Sequence, residues 1–518
     1  MLFNSAEFIF LFLPIAAIGF YLLGAICQPT LATAWLTLLS LIFYGAFAID
    51  NLWILIPSIS INFMLGSKIA SAPGTRLANL LLRTGVIGNL LILGYFKYAG
   101  LITETVSSLA GTSHALSGIA LPLGISFFTF TQIAFLVDAN RGIAREYRLV
   151  HYCLFVTYFP HLVAGPILHH KEMMPQFERR ETYCFDFENI SVGITVFAIG
   201  LFKKVVLADG IAPYANQAFA AAARGEDLGL IEAWCGALAY TMQLYFDFSG
   251  YSDMAVGISR IFGIRLPINF YSPYKSSNII EFWRRWHITL SRFLRDYLYI
   301  SLGGNRNGSG RRFLNLVITM LLGGLWHGAG WTFVVWGGLH GVYLIVNHAW
   351  NAFAARIGLL HLFHSQMGFA FSWLLTFISI VVAWVFFRAE NIPSAVRMIE
   401  AMFGGNGVSL PDYFVPRLGT FGRWLVSIGV RPTAGGSAFG GTPQVLWILG
   451  LMAIALLSPN SQQLLAKYQP GLCSISDPHP FGKMQWSPNL KWASFTIFLL
   501  FASILNLGRT SDFLYWQF

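Results

Sequence analysis

The sequence predicts an all-α polytopic membrane protein. Three observations carry this. Hydrophobic residue types make up 56% of the 518 residues. Charged types make up only 11%, against about 25% in soluble domains. Apolar runs of near-spanning length recur from one end of the chain to the other. A water-soluble chain of this size cannot hide so much apolar surface, so the excess faces lipid.

The runs lie near 8–26, 31–49, 52–66, 80–96, 119–137, 149–168, 190–207, 230–246, 313–325, 331–349, 369–387, 444–458 and 490–507. A straight span needs about 20 residues. The shorter runs at 52–66, 80–96, 313–325 and 444–458 are expected to tilt, re-enter or join neighbours, giving about eleven to thirteen membrane-embedded helices. The opening MLFNSAEFIFLFLP has no positive n-region and no cleavage site, so a cleavable signal peptide is not expected. The first basic residue is Lys68, which places the N-terminus on the non-cytoplasmic side. Loops 67–83 (Lys68, Arg76, Arg83) and 138–148 (Arg141, Arg145, Arg148) are expected at the cytoplasm, and 97–118, with Lys97 and Glu104, outside. Beyond residue 170 the bookkeeping blurs, because 169–189 mixes Lys171, Arg179 and Arg180 with five acids.

The stretch 274–312 is the most basic of the chain and belongs at the cytoplasmic face. Within it, 278–300 has helical periodicity. Phe282, Trp286, Leu290, Phe293 and Tyr297 share one face, and Arg284, His287, Ser291 and Arg295 share the opposite arc. That pattern predicts an amphipathic helix at the interface. The Gly-rich stretch 404–443 is expected outside the bilayer. The chain is divided into a membrane core 1–400, an extramembrane loop 401–443, and C-terminal helices with a tail, 444–518. No internal repeat is visible.

The formal charge of +10 sits in short loops between apolar runs, which fits the positive-inside pattern rather than a nucleic-acid surface. The five cysteines form no CxxC pair, so neither a disulfide framework nor a zinc site is expected. Among the histidines, His169 and His170 are adjacent and do not point to one ligand, and His361 and His364 lack a nearby carboxylate, so no metal is expected. His114 and His479 fall in loops. His327, in LLGGLWHGAGWTFVVWGGLHG, lies between two apolar runs. A titratable side chain at membrane depth is a functional hypothesis by default, with a histidine hydrogen-bonded across helices as the alternative that local features leave open. Trp326 and Trp331 are candidate walls of a narrow pocket there. On periodicity alone, His287 is one more polar residue on a cationic helix. Asp247 and Asp253, in YFDFSGYSDMAVG, suit helix-bridging partners better than catalysts. LGGNRNGSGRR at 302–312 lacks the ending of a P-loop, and no GxSxG elbow occurs.

NFYSPYKSSNIIEFWRRWHITLSRFLRDYLYISLGGNR, followed by LLGGLWHGAGWTFVVWGGLHG, resembles the signature core of the membrane-bound O-acyltransferase family, placed here at 269–341. PLGISFFTFTQIAFLVD, YFPHLVAGPI, GLFKKVVLAD and YFDFSGYSDMAVG resemble further family blocks. FNSAEFIFLFLP and WVFFRAEN point to its bacterial subgroup of alginate O-acetylation proteins, with the D-alanyl transfer protein of teichoic acid modification more distant. The resemblance implies a ring of helices around a thin core with a central tunnel, acyl donor entering from the cytoplasm and acceptor from the other side. It implies that His327 is the signature histidine and His287 the second position.

Transfer from a thioester to a hydroxyl needs a group that removes the hydroxyl proton, which a neutral histidine does, its ordinary pKa being about 6.5. His327 is therefore expected as general base, and His287 as polariser of the acyl group. Arg284, Arg285, Ser291, Arg295 and Arg306 are candidate donor-binding residues, attracting an anionic thioester such as acetyl-CoA. No bound cofactor is expected. The ending SDFLYWQF is similar to the C-terminal tyrosine motif of the small partner peptide in D-alanyl systems, which makes Tyr515 a candidate acyl relay, against an interfacial aromatic as the plain reading. The expectation is an inner-membrane O-acetyltransferase component serving an exopolysaccharide with a periplasmic transferase partner. A D-alanyl or lipid acyltransferase and a non-enzymatic transporter are the rivals; the last would call for an inverted repeat.

Overall fold

The computed structural model describes residues 2–26, 28–112, 120–146, 148–359, 365–433, 438–472, 475, 484–508 and 514. His114, His361, His364, His479 and Tyr515 lie outside these. The described chain is almost entirely helical. Five helices are long and apolar enough to cross a membrane: α1 (Phe8–Ala25), α3 (Leu52–Ser71, within the span Ile49–Ser71), α4 (Arg76–Ala110), α9 (Phe187–Arg224) and α15 (Gln366–Arg388). Shorter apolar helices are α2 (Pro29–Gly45), α17 (Gly441–Leu457) and α18 (Leu490–Ile504). Between them lie α5 (Ile125–Asn140), α6 (Leu149–Thr157), α7 (Phe159–Leu162), α8 (His170–Glu178), α10 (Leu230–Ile261), α11 (Ile279–Arg285), α12 (Ile288–Phe293), α13 (Gly308–His327), α14 (Trp331–Arg356) and α16 (Ile392–Met402).

Local chemistry sets several of these boundaries. The Thr75 side chain caps α4 by accepting from the Ala78 amide at 3.2 Å, and Gly111 ends the helix at φ 64°, a conformation glycine adopts without a Cβ penalty. The outward faces are apolar. Leu11, Ile18 and Leu22 of α1, Leu91 of α4 and Phe371 of α15 are exposed, as lipid-facing positions must be.

Contacts between loops define two faces. On the basic face, the Gly74 amide donates to Asn140, Arg148 pairs with Glu178 at 2.6 Å, Arg292 holds Glu172 through two bonds and Lys275 donates to the Ser458 carbonyl. On the opposite face, Tyr44 donates to the Leu123 carbonyl, Trp331 to Thr105 and Arg388 to Asn216. Within 404–443, β1 (Ser409–Pro411) pairs in parallel with β2 (Arg431–Thr433), and the Leu230 amide bonds the Gly407 carbonyl.

Two expectations change. The run 149–168 does not cross from face to face. Arg148 and Glu178 meet at its two ends, and Glu146 lies 4.0 Å from His170, so α6 and α7 dip inward and the chain returns in extended form. Lys97 is not in a loop. It sits inside α4, and its side chain is buried.

At the centre, α9 and α10 pack backbone to backbone. A Cβ on Gly200 would stand 2.6 Å from the Gly250 carbonyl oxygen, and one on Gly257 would stand 2.7 Å from that of Gly193. Small residues permit this approach where no hydrophobic effect drives helices together. Lys203 pairs with Asp253 at 2.6 Å, and Lys204 bridges Asp209 at 2.9 Å and Asp247 at 2.6 Å. The two aspartates are helix-bridging partners, as their sequence context suggests.

Candidate active site

The second half of the site is the hairpin of α13 and α14. A Cβ on Gly324 would collide with the Phe333 carbonyl, and one on Gly337 with that of Met320. The two helices therefore touch through their backbones, and α13 ends at His327, where Gly328 turns extended. The hairpin lays the His327 ring against Trp336 and Trp326, each with centroids 5.0 Å away, and against Phe387 at 5.2 Å. His327 is 4% exposed.

The first half comes from the basic face. The helix expected over 278–300 is broken. Trp286 is extended, and His287 takes the left-handed conformation, φ 42° and ψ 55°. Few non-glycine residues do so. Hydrogen bonds on both sides hold the break. The Tyr271 amide donates to the Arg285 carbonyl and the Ile288 amide to the Asn269 carbonyl, both at 3.0 Å. Thr289 donates to the Asn269 side chain at 2.6 Å and accepts from the Ile167 amide on the returning re-entrant segment at 2.9 Å. The kink takes His287 off the polar arc and buries it completely. Its ring lies edge-on to Phe248 at 4.8 Å, 5.9 Å from Trp326 and 6.2 Å from His327.

The two histidines that the resemblance singles out thus meet in one aromatic chamber. Trp326 walls it, contacting both rings and stacking on Phe130. Trp331 does not. It is 53% exposed and lines a cleft of about 450 Å³ on the opposite face with Glu104, Thr105 and Glu390. Trp336 takes the place that sequence reasoning gave to Trp331. A third buried histidine, His340, joins them. Its Nδ1 accepts from the Trp283 indole at 3.3 Å, which leaves the ring proton on Nε2, and its ring contacts Trp336 at 4.9 Å. The helical spacing of Trp336 and His340 on one face was a signal available in the sequence.

Among the candidate donor-binding residues, Arg285 pairs with Glu281 at 2.9 Å and Arg295 with Asp296 at 2.7 Å. Ser291 donates to the Trp286 carbonyl at 3.4 Å. Arg284 and Arg306 are exposed. None of the five lines a cleft of about 780 Å³ on the basic face, whose cations include Lys171, Arg260, Arg265 and Arg292. Leu514, beside Tyr515, is 4% exposed in the same core as Trp286 and Trp336, and its backbone hydrogen-bonds Asp247.

Residues 101–387, which include His287, His327, Trp326 and Trp336, match the profile of MBOAT, the membrane-bound O-acyltransferase family. The chain belongs to the membrane-bound O-acyltransferase family. It is accordingly an O-acyltransferase. The chain is 44% identical over 436 residues to the peptidoglycan O-acetyltransferase of Helicobacter pylori, covering 79% of this chain and 81% of that one. It is 44% identical over 409 residues to the probable alginate O-acetylase AlgI of Pseudomonas aeruginosa, covering 78% and 75%. Identity to the probable AlgI of Pseudomonas syringae pv. tomato is 39% over the full length of both. Among membrane-bound O-acyltransferases, then, this chain is similar to bacterial O-acetyl transfer proteins.

Proposed function

We propose that this protein is an inner-membrane O-acetyltransferase component that moves acetyl from a cytoplasmic thioester across the membrane for exopolysaccharide O-acetylation. One observation carries the mechanism: His287, at the break between α11 and α12, and His327, at the end of α13, stand 6.2 Å apart in a buried aromatic chamber. His327 takes the proton of the acceptor hydroxyl as its oxygen attacks the thioester carbonyl. His287 donates to the oxygen on which negative charge develops. The C–S bond breaks, and the departing thiolate takes the proton that His327 accepted. The ester forms and a free thiol remains.

Acetyl-CoA is the proposed donor, arriving at the basic face, which is the cytoplasmic one by the positive-inside pattern. The N-terminus then lies in the periplasm. Arg284 and Arg306 offer exposed positive charge to its phosphates. Tyr515 is the proposed relay, taking acetyl as an ester and passing it to a periplasmic transferase. The burial of Leu514 in the core cluster that also holds Trp286 and Trp336, with its backbone bonded to Asp247, supports this role for its neighbour. The test is polymer O-acetyl content in cells with matched protein levels. Loss in both His327→Ala and Tyr515→Phe is expected. Loss in His327→Ala alone would remove the relay, and full acetylation in His327→Ala would overturn the mechanism.

A further inference from the structure

The last turn of α13 presents carbonyls without intrahelical partners, as every helix C-terminus does. Two adjacent residues of α4 complete this one. Lys97 donates from Nζ to the Trp326 carbonyl and, at 3.3 Å, to the Ser126 hydroxyl. Tyr98 donates to the Leu325 carbonyl at 2.8 Å. The carbonyls so held belong to the two residues directly before His327. The Lys97 ammonium also lies 5.9 Å from the centre of the Trp326 ring, the wall shared by both histidines.

An ammonium inside a membrane helix is costly and is kept there for a reason. Lys97 is only 7% exposed, and no carboxylate shares a salt bridge with it among the described residues. What it faces is the negative end of the α13 dipole, where a cation is stabilising. The lysine head group is therefore committed to one helix end. From the other side the same end is packed on α14, where a Cβ on Gly324 would collide with the Phe333 carbonyl and one on Gly328 with the Phe333 ring, so Lys97 and Tyr98 supply the hydrogen bonds that fix it from α4.

We infer that Lys97 and Tyr98 are positioning residues, which clamp the end of α13 so that the His327 ring is held at working distance from His287. This rests on the reading of His327 as the base. The clamp acts through the backbone, so removing it displaces the imidazole without touching the reacting atoms. A misplacement of about 1 Å costs on the order of 100-fold in rate. An arginine keeps the cation and a donor at the carbonyl, so it should restore much of what a methionine of similar length loses.

The test uses the full chain in cells at limiting expression, where the initial rate of polymer O-acetylation follows the amount of active protein. Folded amounts are matched by size-exclusion profile in detergent. His327→Ala runs beside Lys97→Met, Lys97→Arg and Tyr98→Phe. The expected result is a silent His327→Ala and a Lys97→Met slowed about 100-fold. Lys97→Arg should recover to within about tenfold of wild type, and Tyr98→Phe should be slowed less than Lys97→Met. A wild-type rate in Lys97→Met beside a silent His327→Ala would overturn the clamp and leave the proposed base intact. An active His327→Ala would overturn the base itself. Should Lys97→Met fail to fold, Tyr98→Phe decides: it deletes one hydroxyl, and an unchanged rate there would overturn the clamp.

Discussion

His287 owes its place to a backbone conformation that costs energy. A left-handed L-residue is disfavoured by about 1–2 kcal/mol, and here the bonds from Asn269, Thr289 and Arg285 hold it. Glycine at 287 would relieve that strain and alanine would not. His287→Gly is therefore expected to unfold at higher temperature than His287→Ala, by about 1 kcal/mol in stability, while both lose acetylation. Thermal unfolding in detergent measures this, and equal stabilities would contradict the strained kink. Trp336 and Trp331 give a second contrast. Trp336→Ala empties a site 1% exposed and should cost about 3–5 kcal/mol, whereas Trp331→Ala at the open cleft should stay within about 0.5 kcal/mol. Motif resemblance singled out both histidines that the fold brings together. Periodicity alone put His287 on a polar arc, because a helical wheel assumes the helix continues. The residues that hold the break, Asn269 and Tyr271, act from a distance in sequence.

At the scale of elements, the spanning helices were legible because apolar length alone specifies them. The re-entrant segment was not. Residues 149–168 are as apolar as a span, and the contacts of Arg148 with Glu178 and of Glu146 with His170 reveal the return. Single cysteines at Arg148→Cys and Glu178→Cys, in a chain with its own cysteines replaced, should react with an impermeant maleimide from the same side of the membrane, and Glu104→Cys from the other. Opposite labelling of the first two would contradict the re-entrant path. Lys97 was assigned to an outside loop for the related reason that α4 is longer than its apolar run: it spans 35 residues, and the run ends before its lysine. The α13–α14 hairpin makes a packing prediction. Gly337→Ala drives a methyl into the Met320 carbonyl and should destabilise by about 1–3 kcal/mol. Gly338→Ala should be tolerated, since its Cβ would meet Leu321 at 3.6 Å, an ordinary contact. Equal effects would argue against backbone contact between the two helices.

Across the whole molecule, α9 and α10 form a central pair, and the site hangs on its inner side through Phe248. The ion bridge of Lys204 with Asp209 and Asp247 ties that pair together. Lys204 has a side chain 2% exposed, so Lys204→Met leaves two buried carboxylates uncompensated, and about 3–5 kcal/mol of stability should be lost. That loss should appear in the melting of the whole protein, because the bridge joins the central helices rather than an edge. The aromatic chamber that holds the two histidines is likewise a property of the whole fold. It needs the basic-face segment that brings His287, the hairpin that brings His327, and α4, which holds the hairpin's end. The most direct test of that claim is a double-mutant cycle on initial O-acetylation rate with His287→Ala, His327→Ala and the double variant. Two groups acting on one transition state are grossly non-additive, so each single variant should lose nearly all activity and the double variant should be no slower than the worse single. Losses that multiply in the double variant, or substantial activity in either single, would mean that the two histidines do not form one site.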